Sequence, residues 1–102
     1  MISTRLSIRT VGDARAAMAS AVQFAEHMRN WQGVTSSEVY LAHGGHTGTL
    51  IFVKTVPDMT TLDPVFAAMN TDETYSGTIK TVTDAGLFDM ASAADNNLRK
   101  LT

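Results

Sequence analysis

The sequence contains no cysteine, and this absence excludes two kinds of chemistry. Without thiols the chain can form no disulfide framework, and it has no thiolate to act as a nucleophile or a metal ligand. Any stable fold must therefore rest on an ordinary hydrophobic core, and any chemistry must come from other side chains.

Clustered positive charge is also absent. Eight lysines and arginines stand against ten acidic residues, which gives a formal net charge of −2. Only Arg99 and Lys100 are adjacent, and one pair does not make the basic patch by which a protein binds nucleic acid. We therefore expect no nucleic-acid partner.

Long hydrophobic runs are missing as well. No stretch approaches the roughly 20 apolar residues of a membrane-spanning helix, and the first residues, MISTRLSIRTVGDARAAM, interrupt their apolar stretch with arginines, unlike a signal peptide. We expect a cytoplasmic protein without membrane association. The length of 102 residues predicts one domain, 1–102, because smaller pieces could not bury a stable core.

Strand-like and helix-like patterns alternate along the chain. Residues 2–11 alternate apolar and polar side chains with a period of two, which predicts a strand, and the strand-like runs 34–43 and 46–56 predict two more. The end of the chain is less regular. Residues 87–94 are interpreted as a connector, and 95–102 as either a short last strand or a frayed tail.

Two regions place apolar residues at helical spacing. Residues 12–33 predict a helix, with Asp13 as its N-cap and Gly33 as its end. Residues 60–70 and 71–86 predict a second helical region. Its longer part is expected to begin at a cap formed by Asn70 or Thr71 and to end at Gly86.

The resulting order is that of a ferredoxin-like βαββαβ sandwich, an α+β fold whose antiparallel sheet has both helices on one face. This order, together with the broken second helix DPVFAAMNTDETYSGTIKTVTDAGLF (63–88), resembles the dimeric α+β barrel superfamily. Its members include cofactor-free monooxygenases of the antibiotic-biosynthesis type and stress-responsive barrel proteins. The resemblance implies a homodimer and a cavity, and it transfers no functional residue.

The segment VYLAHGGHTGTLIF (39–52) raises the question of a metal or phosphate site. His43 and His46 flank Gly44–Gly45, and a two-residue turn there would place both rings on one face. Zinc needs about four ligands, or three plus water, and the hairpin supplies only these two. The segment also lacks the phosphate-loop pattern. We interpret it as a hairpin turn and expect no metal and no cofactor.

Other isolated candidates have simple structural interpretations. His27 falls on the polar face of the first helix, where we expect it to be solvated. The six methionines follow helical stripes and connectors, which is typical of core filling. Trp31 is expected to pack in the core or at an interface, with ligand stacking as the alternative.

Alternation along the strands divides the predicted sheet into two faces. One face is apolar and forms the floor for the helices: Leu6, Ile8, Val39, Leu41, Leu50 and Phe52. The other, which we call the open face, mixes polar and apolar side chains: Arg5, Ser7, Arg9, Ser36, Glu38, Tyr40, Thr47, Thr49, Ile51 and Val53. The open face is either a solvated surface with cross-strand Arg–Glu pairs or a covered face that binds a ligand.

The second interpretation predicts a ligand site formed by Arg9, Glu38 and Tyr40. Glu38 can neutralise only one of the two arginines at the centre of the face, so Arg9 would contact an anionic group and Tyr40 would provide an aromatic wall. A register slip of one residue would exchange the faces. The cleft between sheet and helices, near Trp31, would then be the better candidate.

Two functional classes follow from these observations. The first is a homodimer that binds a small, partly apolar, anionic molecule; if it is an enzyme, the resemblance implies oxygenation or isomerisation without metal or cofactor. The alternative is a non-catalytic dimeric structural or interaction module whose open face serves only assembly. A cavity with converging polar groups would favour the first class.

Overall fold

The structure, a computed structural model, describes residues 1–42 and 48–99. Within these residues a four-stranded antiparallel sheet packs one face against three helices. In chain order the elements are β1 (Ile2–Thr10), α1 (Ala14–Met28), β2 (Ser36–Leu41), β3 (Thr49–Val56), α2 (Met59–Thr71), α3 (Glu73–Asp84) and β4 (Phe88–Arg99). None of these helices is long and apolar enough to cross a lipid bilayer.

The strands lie in the order β2-β3-β1-β4. The first strand is therefore central, beside the third, and the second strand lies beyond the third, as the ferredoxin-like prediction requires. Along β1 the alternation is visible in exposure: Ile2 and Ile8 are buried under the helices, whereas Arg5 and Arg9 are exposed on the opposite face. The predicted α+β fold is confirmed.

Most of the predicted apolar floor is buried or half-buried beneath the helices. Leu41 is the exception, because 43% of its surface is exposed. It is the last residue of β2, which forms one edge of the sheet. Its phase is that of a core residue, but its position at the end of an edge strand leaves it at the margin of the core.

In the described part of the β2–β3 hairpin, the strand register differs from the predicted one. Leu41 pairs with Leu50, whereas a two-residue turn at Gly44–Gly45 would pair Leu41 with Gly48. The difference is an even number of residues, so each side chain keeps its predicted face. The turn itself, with His43 and His46, lies outside the described residues.

Helix α1 begins as predicted and ends earlier than predicted. The Asp13 side chain accepts a hydrogen bond from the amide of Ala16 at 3.1 Å, which confirms it as the N-cap. The helix ends at Met28, and the chain continues in turns to Gly33. Gly33 has a φ of +91°, so it is needed for the turn into β2 and does not end the helix.

The second helical region is interrupted at Asp72, which corrects the predicted cap. Asp72 has extended backbone angles, and its carboxylate accepts from the amide of Tyr75 at 2.9 Å, so Asp72 is the N-cap of α3 and Thr71 still belongs to α2. The predicted end at Gly86 is confirmed. Gly86 has a φ of +66°, and its amide donates to the carbonyl of Thr83 at 3.1 Å, which closes the helix.

The segment interpreted as a connector is part of β4, so that prediction was wrong. The strand pairs with β1 on both sides of an irregularity, where the partner changes from Ala94 opposite Ser7 to Asp89 opposite Arg9. There the Ser92 hydroxyl accepts from the amide of Arg9 at 2.9 Å and takes the place of a backbone partner. The described part of 95–102 is strand, and residues 100–102 lie outside the described part.

Candidate functional site

A cavity of about 230 Å³ lies between the sheet and the helices, and we call it the cleft. Most of its wall is apolar, including Leu6, Phe24, Ile79 and Val82. Phe66 of α2 and Met90 of β4 also line it, although 39% and 48% of their surfaces are exposed. These two residues therefore mark the opening of the cleft to solvent.

Among the residues that the structure describes, Lys54 is the one basic residue in the wall of the cleft. It lies on β3 between Phe52 and Val56, in the phase that faces the helices, and only 9% of its surface is exposed. Alternation along TLIFVKTV directs the side chain there, because residues 50, 52, 54 and 56 share one face. The strand thus places an ammonium group in an otherwise apolar environment.

The Lys54 ammonium has weak partners. Its Nζ lies 3.7 Å from the Sδ atoms of both Met28 and Met69, and 5.7 Å from the centre of the Trp31 ring. In the part of the chain that the structure describes, no carboxylate oxygen lies within 4.0 Å of it. Thioethers are poor acceptors, so they compensate little of the lost hydration. Burial accordingly lowers the pKa of Lys54, and the negative charge of Asp95 opposes this effect only in part.

Lys54 belongs to a polar row that crosses all four strands: Ser37, Lys54, Thr4 and Asn97. The Thr4 hydroxyl donates to the Oδ1 atom of Asn97 at 3.1 Å. Ser37 is 1% exposed, and its Oγ has no hydrogen-bond partner among the described residues. Lys54, Thr4 and Asn97 line the cleft, so the cavity combines a long apolar wall with one polar end.

Two further titratable groups line the cleft. Asp95 stands opposite Leu6 in the sheet, two residues before Asn97 on β4, and Tyr75 projects from α3. Burial, followed by the charge of Asp95, raises the pKa of Tyr75, so its hydroxyl keeps its proton at neutral pH. The cleft therefore contains an ammonium, a carboxylate and a phenol.

A hydrogen-bonded cluster around Asp72 joins His27 of α1 and Trp31 in the turn after α1 to the start of α3. Trp31 Nε1 and His27 Nε2 both lie 2.7 Å from Asp72 Oδ2, while Oδ1 caps α3. The backbone bond from Tyr75, then the bonds from Trp31 and His27, lower the pKa of Asp72 to about 2. The prediction that His27 is solvated was wrong, because its ring is half-buried against this carboxylate. Trp31 is buried and packs in the core, as predicted.

The residues predicted to bind ligand, Arg9, Glu38 and Tyr40, are exposed on the open face, on the other side of the sheet from the cleft. The Tyr40 hydroxyl donates to Glu38 Oε2 at 2.5 Å, and this bond raises the pKa of Tyr40. Arg9 lies on β1, separated from both by β3. The structure thus brings Glu38 and Tyr40 together and leaves Arg9 apart from them; their role in binding stays a prediction.

Lys54 was missed by the sequence analysis, although a signal was present. It takes the phase of Leu50, Phe52 and Val56, and a lysine in an apolar series points to a buried charge. Asp95 and Asn97 had no such signal, because their strand had no predicted face. Within residues 1–42 and 48–99, no group of three or more histidine, aspartate or glutamate side chains is arranged to hold a metal ion.

Solved structures of the same fold cover nearly the whole chain. A protein from Nitrosomonas europaea assigned to the antibiotic biosynthesis monooxygenases has a TM-score of 0.74 at 14% identity, with 100% of both chains covered. A protein from Deinococcus radiodurans with the same assignment has a TM-score of 0.74 at 10% identity, covering 100% of this chain and 94% of that one.

A variant of SnoaB, a cofactor-independent oxygenase from Streptomyces nogalater, has a TM-score of 0.73 at 7% identity, covering 99% of this chain and 93% of that one. No protein-family model matches the sequence, and no curated protein matches it. The chain therefore has the ferredoxin-like α+β fold of the antibiotic biosynthesis monooxygenases, the fold that the resemblance in its sequence implies.

Proposed function

We propose that the protein binds a small, mainly apolar molecule with one acidic group, in the cleft, with Lys54 as its charge partner. The observation that supports this most directly is the buried Lys54 ammonium, which faces the cavity and has two thioethers as its hydrogen-bond partners among the described residues. An anionic ligand group would restore the hydrogen bonds that burial removes, and bonds to charged groups contribute roughly 1.5–3 kcal/mol each.

We extend the proposal to catalysis without metal or cofactor, as an oxygenase using dioxygen or as an isomerase. The fold is shared with SnoaB, which is a cofactor-independent oxygenase. Both kinds of reaction can start from an enolate or phenolate of the substrate, and an ammonium in a water-poor site stabilises such an anion strongly. In this proposal Lys54 acts by electrostatic stabilisation, and the apolar wall orients the substrate.

The binding proposal is tested with two ligands of the same shape, 1-naphthoate and 1-naphthamide. Calorimetry on the purified protein should show tighter binding of the charged ligand. Lys54→Met should remove this preference while leaving naphthamide affinity nearly unchanged, and Lys54→Arg should retain it. Equal affinities for the two ligands in the wild-type protein, or a preference that survives in Lys54→Met, would contradict the proposal.

We also propose that the protein is a cytoplasmic homodimer that associates through its open face. Tyr40 is 50% exposed, and Ile51 and Val53 remain half-exposed beside it, so a second copy would bury apolar surface. Light scattering at micromolar concentration should give twice the chain mass, and Ile51→Glu should give the monomer. A monomeric wild-type protein would rule this assembly out.

The same dimer is compatible with the alternative function, a non-catalytic structural or interaction module. In a non-catalytic module the open face would serve assembly alone, and Arg9, Glu38 and Tyr40 would line the space between two sheets. The exposed Tyr40 and the half-exposed Ile51 and Val53 support this alternative, because their apolar surface would be buried on assembly. The alternative predicts no ligand in the cleft, which the naphthoate measurement decides.

A further inference from the structure

We infer that Lys54 is also a carbonyl-reactive amine, which forms an imine with a small apolar aldehyde or ketone in the cleft. The inference rests on position: Nζ lies at the polar end of the cavity, the residue is 9% exposed, and its hydrogen-bond partners among the described residues are two thioether sulfurs at 3.7 Å. It goes beyond the proposed function, because there the ammonium binds an anion reversibly and here the free amine reacts.

The surroundings of Lys54 shift its protonation equilibrium toward the free amine. Helices α1 and α2 present Met28 and Met69 to Nζ, and neither is titratable. From α3 and β4 the titratable groups that line the cleft are Tyr75 and Asp95. Burial is the larger influence on the Lys54 pKa and lowers it, against the opposing charge of Asp95. A desolvated lysine in an apolar pocket is a recognised type of activated nucleophile.

The reaction needs no oxidant or reductant. The nitrogen lone pair adds to the carbonyl carbon, the carbonyl oxygen takes up a proton, and the carbinolamine then loses water to form the C=N bond. One amine and one aldehyde thus give one imine and one water. Asp95 and Tyr75 line the same cavity, so a carboxylate and a phenol are available for the proton transfers. The apolar wall would hold the remainder of the ligand.

The probe is 1-naphthaldehyde with sodium cyanoborohydride, which reduces the imine to a stable secondary amine that peptide mass spectrometry locates. The exposed Lys80 of α3 and the N-terminal amine are internal controls in the same molecule. At pH 7 we expect Lys54 to be labelled several-fold faster than Lys80, and the preference should vanish in urea. Equal labelling, or faster labelling of Lys80, in the folded protein would overturn the inference.

A second readout separates this inference from the proposed function. The rate of labelling at Lys54 should level off at a pH below the ordinary lysine value of 10.5, because burial lowers the pKa of its amine; a rate that still rises at that pH would count against the inference. An imine at Lys54 without a naphthoate preference would overturn only the binding proposal. A naphthoate preference without an imine would overturn only the inference.

Discussion

Trp31 Nε1 donates a hydrogen bond of 2.7 Å to Asp72 Oδ2, and this bond joins the turn after α1 to the N-terminus of α3. The Trp31 ring is also 5.2 Å from the ring of Tyr75, centre to centre, and 5.7 Å from Lys54 Nζ. Asp72 thus positions two aromatic rings near the polar end of the cleft. The integrity of this cluster should govern both acid stability and the shape of the site.

The cluster predicts a loss of stability in acid that depends on Asp72. Its pKa is about 2 in the folded protein against 3.8 as the ordinary value, so between these values the unfolded chain binds the proton that the folded chain excludes. The free energy of unfolding should therefore fall as pH drops from about 4 to about 2, and this contribution is present in full above that window.

The variant Asp72→Asn should flatten the acid limb in urea denaturation measured between pH 2 and pH 7. Asp13→Asn is the matched control, because Asp13 also caps a helix but accepts from the backbone alone among the described contacts. If Asp72→Asn and the wild-type protein lost stability in parallel through this window, the cluster would not be responsible.

Lys54 should reduce stability in the absence of ligand. Burial lowers its pKa from the ordinary value of 10.5, so the folded protein pays for a desolvated charge at neutral pH. Replacing buried ionic groups by apolar residues often stabilises by about 1–4 kcal/mol, and we expect Lys54→Met to fall in this range at pH 7. Urea denaturation measures the difference, with the exposed Lys80→Met as control.

The pH dependence of that difference has a definite sign. Above the lowered pKa the folded protein holds Lys54 neutral while the unfolded chain still binds the proton, so wild-type stability rises with pH up to about 10.5. The advantage of Lys54→Met should therefore shrink as the pH rises. An advantage that grows with pH would contradict the assignment of Lys54 as a buried ammonium.

Phe66 should contribute to ligand affinity without discriminating between a charged and an uncharged ligand. It lines the mouth of the cleft and is 39% exposed, so Phe66→Ala should weaken 1-naphthoate and 1-naphthamide equally, by about 1–2 kcal/mol of lost apolar contact. Met59→Ala, on the same helix but away from the cavity, is the control. A loss of affinity for 1-naphthoate alone would contradict this role of Phe66.

Arg9→Ala distinguishes the cleft from the open face. If the cleft is the binding site, naphthoate affinity should be unchanged by this substitution, because Arg9 projects from the other side of the sheet. If the site is the one predicted from Arg9, Glu38 and Tyr40, the same substitution should weaken naphthoate by about 1.5–3 kcal/mol. Calorimetry on the folded variant decides between them.

Period-two alternation was enough to predict the sheet faces, and the ferredoxin-like order of elements predicted the strand order. Ile8, Leu50 and Phe52 lie where their phase puts them, because an even register difference moves no side chain to the other face. The connector prediction failed because residues 91–94, ASAA, have no alternation, and their pairing depends on β1 and on the Ser92 hydroxyl. Such pairing is a tertiary effect.

The candidate site was less predictable for the same reason. His27 lies on the polar face of its helix, and only the approach of Asp72, 45 positions later, turns that face into a contact. Lys54 could have been found from its phase in β3, but its thioether partners come from two helices. The pattern along one element predicts where a side chain points and whether it is buried. Its contacts with residues of other elements depend on how those elements pack.

The central claim is that ligand binds in the cleft beside Lys54, and methyl NMR on protein labelled with ¹³C at the methionine and isoleucine methyls tests it most directly. Of the six methionines, Met28, Met69 and Met90 line the cleft, and Met1, Met18 and Met59 do not. Titration with 1-naphthoate should shift the first three resonances and leave the other three in place. Saturable binding that leaves Met28, Met69 and Met90 unshifted while an Ile51 methyl on the open face responds would contradict the account.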